Sequence, residues 1–266
     1  MTQTSENRLG KVCLVGAGPG DPRLITVRGA ECLAAADLVL YDYLVNPQTL
    51  QHVPASAECV CLGHPHGGRE MLQQEVNRRM VEAARAGKNV VRLKSGDPCL
   101  FGRGAEEVEV LTAAGVPYEV VPGVTAAFAV ASHAGIPLTH RDLASAVALI
   151  TGHRRDDGAG PELDYGRFAQ FPGTLVFYMG MTTSRQWSEA LLRGGRSPET
   201  PVVIVRRASW PDQEAIRCTL GTVADVIQQQ KLCPPAVIVV GEVVGLEALT
   251  PCPSPILPGT ASGRGE

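Results

Sequence analysis

Between Val12 and Asp21 the chain reads VCLVGAGPGD, an apolar strand-like run that ends in a glycine-rich turn closing on Asp21-Pro22. A turn of this kind cradles a phosphate by aiming backbone N–H groups and a helix N-terminus at the anion. Here Pro19 has no N–H to aim, and the Asp21 carboxylate repels negative charge. The ligand expected at this loop is neutral or cationic. Polar residues recur where other apolar runs end: LVLYD closes on Asp42, Val90 to Leu93 runs towards Ser95-Gly96-Asp97-Pro98, and Tyr118 to Val121 runs into PGVTA.

Asp97 reads either as the N-cap of a helix opening at Pro98, worth roughly 1 kcal/mol to that helix, or as a ligand contact. The segments GDPRLITVRGAE (Gly20 to Glu31) and GDPCLFGRGAE (Gly96 to Glu106) match with a single gap, and both place Asp as an N-cap before Pro. Two helix starts after strands explain the echo, since a repeat architecture needs more copies. His64-x-His66 and Cys59-x-Cys61 put like side chains on one face of a strand. No second ligand pair has zinc spacing, so no metal is assigned.

These residues need a frame that gathers them. Apolar, β-branched segments at Val12–Val15, Leu38–Tyr41, Glu58–Leu62, Val90–Leu93 and Tyr118–Val121 read as parallel strands covered on both faces. Helix patterns lie between them, at Pro22–Ala35 and at Glu70–Ala86, the latter ending at Gly87. In a parallel sheet the carboxyl ends of all strands open onto one rim, where ligands bind. GAGPGD, Asp42, Gly63-His64, SGDP and PGVTA would then face one cleft. A second series follows at Ala146–Ile150, Thr174–Tyr178, Pro201–Val205, Ala215–Thr219 and Ala236–Val240, its last three strands hairpin-like. The expected division is an N-terminal α/β domain over 9–140 and a C-terminal α/β domain over 145–248. The Pro/Gly/Ser-rich end, 251–266, has too few apolar residues to pack and is expected to be disordered.

A chain of 266 residues with 27 acidic and 24 basic side chains carries a net charge of −3, which excludes the basic footprint of a nucleic-acid binder. An anionic ligand must therefore be held by local arginines. No apolar run reaches the roughly 18 to 20 residues that span a bilayer. The polar start MTQTSENRLG lacks a signal-peptide core, and the eight cysteines form no CxxC pair, so a reducing cytoplasm is expected.

The segments KSGDPCLFGRGAEE (Lys94 to Glu107), VPGVTAAF (Val121 to Phe128), GIPLTHRD (Gly135 to Asp142) and TLVFYMGM (Thr174 to Met181) follow in order. Together with GAGPGD they resemble the uroporphyrinogen-III C-methyltransferases of the tetrapyrrole methyltransferase family, from about Lys11 to Leu246. The resemblance implies two α/β domains with the active-site cleft between them. It implies S-adenosylmethionine along Ser95, Gly96 and Asp97 with Leu100, touched also by Pro19, Thr125, Ala126, Met179 and Ala208. The cosubstrate carries a sulfonium and an ammonium and no phosphate, which suits acidic loops; Met179 read alone is ordinary strand core.

The second substrate implied is a reduced tetrapyrrole with eight carboxylates, which guanidinium groups bind as planar forks. Arg103, with Glu106 three residues on, and Arg141 are the candidates, each otherwise a surface arginine. Asp42 matches the family's acid/base position, and is otherwise a turn aspartate. His64 stands where the family usually has lysine, and an imidazole titrating near ~6.5 still exchanges protons at neutral pH. A homodimer is implied, and the start of the chain at the methyltransferase strand suggests the form with this function alone. The rivals are another methyltransferase of the same fold, such as a later corrin-ring enzyme, diphthine synthase or ribosomal-RNA ribose methyltransferase; a dinucleotide-binding dehydrogenase; and a non-catalytic tetrapyrrole-binding regulator.

Overall fold

Val12–Gly16 (β1) is apolar and buried at every position, as a central strand covered on both faces must be. The computed structural model describes residues 9–63, 71–153 and 163–246. The expected tail at 251–266 lies outside the described residues. Leu38–Tyr41 (β2), Glu58–Cys61 (β3), Val90–Lys94 (β4) and Tyr118–Val121 (β5) join β1 in one parallel sheet of order β3-β2-β4-β1-β5. Of the central strands β1 and β4 are buried throughout and β2 at all but Tyr41, whereas edge strands β3 and β5 are largely exposed, so double coverage fails at the edges.

The helix expected over Pro22–Ala35 is two elements. Asp21 caps a short 3-10 turn at Pro22–Leu24, and Thr26 then starts Val27–Ala34 (α1) by accepting from Gly29 N–H. Two N-capping side chains five residues apart each open their own element, so one continuous helix does not form. Gln73–Arg85 (α2) stops before Gly87, whose φ of 84° ends the helix. No helix opens at Pro98, which corrects the N-cap reading of Asp97: residues 98–102 form turns and Gly104–Ala113 (α3) begins later. Ala126–His133 (α4) follows PGVT.

Val147–Thr151 (β6), Thr174–Tyr178 (β7), Pro201–Arg206 (β8), Glu214–Thr219 (β9) and Ala236–Val240 (β10) form the second sheet, of order β6-β7-β10-β8-β9. β6 is parallel to β7 and the other pairings are antiparallel; of the three strands expected to be hairpin-like, β8 and β9 pair directly, whereas a helix at Val223–Gln229 separates β9 from β10, which pairs with β7 and β8 instead. Period-2 alternation divides this sheet. Leu175, Phe177, Val202 and Ile204 face Ser184–Arg193 (α5) and Val223–Gln229 (α6), with Phe177 stacked on Trp187 at 4.3 Å. Val176, Val203 and Val239 face α4, which supplies Ala127, Ala129 and Val130. The small residues of α4 thus pack on the second sheet although the helix lies within the stretch, 9–140, expected to form the N-terminal domain.

Candidate active site

The loops after β1, β4 and β5 meet backbone to backbone. A Cβ on Gly123 would sit 2.1 Å from the Gly96 carbonyl oxygen and 2.7 Å from Gly16 Cα, so side chains are barred there. Gly18 N–H donates to Gly96 O at 3.3 Å and Gly96 N–H returns to Gly18 O at 2.8 Å. Ala17 N–H donates to Lys94 O and Asp21 N–H to Ser209 Oγ. These N–H groups of GAGPGD are spent on the protein itself, so the loop is no anion cradle. Asp97 joins the next two loops: Oδ1 accepts from Cys99 N–H at 2.8 Å and Oδ2 from Gly123 N–H at 3.0 Å.

Beside this junction lies a cavity of about 470 Å³. Asp42 enters it from the loop after β2, Ser95, Gly96, Asp97 and Leu100 from the loop after β4, and Thr125 and Ala126 from the start of α4, where the loop after β5 ends. The second sheet closes the other side with Met179 after β7 and Ala208 after β8. β10 runs antiparallel to both, so its starting residues Ala236 and Val237 reach the same edge. Of the five loops expected on one rim, those after β2, β4 and β5 line the cavity; the loop after β1 buttresses it, and Gly63 is not on the wall.

Sequence reasoning missed several wall residues. Tyr178 shares a hydrogen bond of 2.7 Å with Thr125 Oγ and accepts from Ala127 N–H, tying β7 to α4, and burial pushes its pKa up. Its ring lies 5.2 Å from that of Phe101. Phe101, Met179 and Arg207 all line the cavity with φ of 53°, 52° and 47°. Left-handed backbone in such residues is costly and concentrates at functional sites. No residue-type signal marks it, although the neighbouring motifs SGDP and YMGM do locate Phe101 and Tyr178.

Asp42 does not stand alone. Its Oδ1 accepts from Arg92 Nη2 at 2.5 Å, while Arg92 Nε donates to Glu107 Oε1 at 2.9 Å. Lys94 Nζ lies 2.9 Å from Glu107 Oε2, and Glu107 is 0% exposed. Burial penalises the Arg92 charge, yet Asp42 and Glu107 outweigh it and its pKa is raised. Lys94 is lowered by burial and by Arg92. Burial acts to raise Glu107, but Arg92 and Lys94 hold it below the usual carboxylate range.

The family described as Tetrapyrrole (Corrin/Porphyrin) Methylases matches residues 11–224. The chain belongs to this family. A siroheme synthase from Zymomonas mobilis is 46% identical over 239 residues, covering 90% of this chain and 50% of its own length. Siroheme synthase 1 from Serratia proteamaculans is 48% identical over 244 residues, covering 92% and 50%. This tetrapyrrole methylase therefore spans about half the length of the curated relatives it matches. A crystal structure of uroporphyrin-III C-methyl transferase from Thermus thermophilus, complexed with S-adenyl homocysteine, aligns at TM-score 0.76 and 43% identity, covering 89% of this chain and 99% of that one. The structure of a cobalamin biosynthetic enzyme, cobalt precorrin-4 methyltransferase, aligns at TM-score 0.78 and 33% identity, covering 88% and 95%.

Other expected site residues of the methylase lie off the cavity wall. The carbonyl of Pro19 accepts from Trp210 Nε1 at 3.1 Å, so this residue meets the loop after β8. Arg103 caps α3 in left-handed conformation and pairs with Glu106 at 2.7 Å; Gly102 beside it does line the cavity. Arg141 is exposed in the turn between His140 and Ala144. His64 and His66 lie outside the described residues. Cys59 and Cys61 are exposed on β3. The closest set of potential metal ligands among the described residues, Cys13, Cys32 and Glu119, has its carboxylate already paired with Lys11 and Arg28.

Proposed function

We propose that this chain methylates two ring carbons of uroporphyrinogen III with S-adenosylmethionine, giving precorrin-2 and S-adenosylhomocysteine. The observation that carries the reading is the single cavity in which the Ser95-Gly96-Asp97 turn, the apolar Leu100 and Met179, and the Asp42 carboxylate share one wall system. The cosubstrate fits these residues on two counts. The loops offer carboxylates and no phosphate cradle, which suits a cationic ligand. A Cβ at Gly96 would meet only Thr125 Cα, at 4.0 Å, so the bare glycine leaves space on the cavity wall.

When bound, S-adenosylmethionine supplies an electrophilic methyl group. Ser95, Gly96, Asp97, Leu100, Thr125, Ala126, Met179 and Ala208 are the residues assigned to hold it, with Pro19 contributing from behind the wall. Asp42 is assigned to accept the proton that a methylated ring must release. Arg103, with Glu106 as its ion-pair partner, and Arg141 are assigned to the substrate carboxylates. Positioning of the ring carbon supplies much of the rate.

Radiolabelled methyl transfer to uroporphyrinogen III tests the reading, with dimethylated product expected. The likeness to cobalt precorrin-4 methyltransferase supports the competing substrate, a later corrin ring; transfer to such a ring and none to uroporphyrinogen III would overturn the assignment. A lost proton-transfer group costs ~100- to 10,000-fold, so Asp42→Asn is expected to fall far more than His64→Ala, with His64→Lys tolerated. Near-wild-type turnover by Asp42→Asn with collapse of His64→Ala reverses the two roles.

We also read the protein as a cytoplasmic homodimer. Unpaired cysteines at positions 13, 32, 59, 61, 99, 218 and 233 support a reducing compartment, and no helix among the described residues is long and apolar enough to cross a membrane. The exposed apolar side chains of Phe128 and Leu143 are available to a partner copy. Light scattering across a concentration series checks the stoichiometry.

A further inference from the structure

β4 carries Arg92 and Lys94 at alternate positions, so both side chains leave the same face of the strand. That face also bears Val90, which packs with Val12, Leu14 and Leu111 in an apolar cluster. Two cations in such a layer are costly to desolvate, and buried ion pairs are often replaced by apolar residues without loss of stability. Stability alone therefore does not account for them. Glu107 projects from α3 between the two, reached by Arg92 Nε at 2.9 Å and Lys94 Nζ at 2.9 Å, and Gln73 Nε2 of α2 donates to its Oε1 at 3.0 Å.

Two cations and one anion leave this buried set one positive charge in excess. Among the described residues the balancing anion is Asp42, 30% exposed and on the cavity wall, which receives the outer prong of the Arg92 fork. The other Arg92 nitrogen, Nη1, donates to Leu93 O at 3.2 Å and reaches Leu40 O at 3.4 Å, so the guanidinium plane is held from three sides. We propose that Glu107 is a positioning residue for Asp42: by gripping Arg92 from behind, it fixes the direction from which the guanidinium holds the Asp42 carboxylate at the cavity. Lys94 is the second counter-ion that lets Glu107 stay ionised in this layer. The inference rests on the reading of Asp42 as the proton-accepting group.

A double-mutant cycle on the full chain separates positioning from packing. Methyl transfer is measured with both substrates saturating for wild type, Glu107→Gln, Asp42→Asn and the double variant, with S-adenosylhomocysteine affinity measured by calorimetry. Glu107→Gln is expected to lower kcat on the order of 100-fold, the scale of a small misplacement of a reacting group, with KM and product affinity unchanged. Added to Asp42→Asn, it is expected to cost nothing more. Glu107→Asp keeps the charge and shortens the reach; it should retain more kcat than Glu107→Gln, show the same non-additivity, and carry the test where the glutamine variant does not fold. Multiplicative losses in the double variant, or wild-type kcat in Glu107→Gln, overturn the positioning role. Wild-type turnover by Asp42→Asn overturns instead the role of Asp42 on which it rests.

Discussion

At the scale of single residues, Gly96 is tied to its place by conformation and by space, with φ at 68° and the cavity beside it. A β-branched residue is a strained outlier in that region of the backbone. Gly96→Val is therefore expected to weaken S-adenosylhomocysteine binding at least tenfold by calorimetry; unchanged affinity in a folded variant moves the cosubstrate elsewhere. Tyr178→Phe removes a hydroxyl that serves Thr125 and the Ala127 N–H, and should cost about 1 to 2 kcal/mol in urea unfolding. Legibility at this scale follows residue type. Glycine, proline and aspartate in SGDP announce a turn, so that loop could be read as a ligand loop before any fold was known. Arg92 and Lys94 could not, because charged residues at alternate positions of a strand ordinarily mark its solvent face, and here a glutamate fifteen residues away reverses that meaning.

At the scale of elements, strand positions were legible because runs such as LVLY and AVIVV are bounded by turn residues and by length. Helix starts were not, because Thr26 and the turns over 98–102 redirect the chain locally in ways that apolar spacing does not report. The segment after β8 shows how elements from the two sheets are fastened. Arg207 stacks on Trp210 at 4.1 Å and pairs with Asp212, while the indole N–H bonds Pro19 O. A Cβ on Gly20 would lie 2.1 Å from the Trp210 ring. Gly20→Ala should destabilise by roughly 1 to 3 kcal/mol through overpacking, and should cost much less in a Trp210→Ala background. Chemical denaturation of the four proteins measures the coupling; equal costs in both backgrounds would remove Trp210 as the constraint.

At the scale of the whole molecule, acid stability is expected to follow the buried charges. Glu107 is held below its ordinary range, so its contribution is complete above the unfolded carboxylate value of ~4.3 and is lost as pH falls through the lower folded value. Glu107→Gln should be less stable at pH 7, by about 3 kcal/mol or more, and flatter in its pH dependence between pH 5 and 3. Melting curves across that window decide it, and parallel curves for the two proteins would falsify the assignment. The two-sheet plan was legible from the change in strand spacing, but the order of the second sheet was not, since β10 pairs with strands from far earlier in the chain. That order bears on synthesis. Of the described strands, β10 is made after both of its neighbours and takes the central place between β7 and β8, so both apolar edges stay unpaired on a nascent chain until Ala236–Val240 emerges. Unpaired edges of this kind recruit other chains. A chain stopped before Ala236 would thus hold nine of the ten described strands and neither a closed second sheet nor a complete cavity wall, leaving it more exposed to aggregation and proteolysis than the loss of one strand suggests.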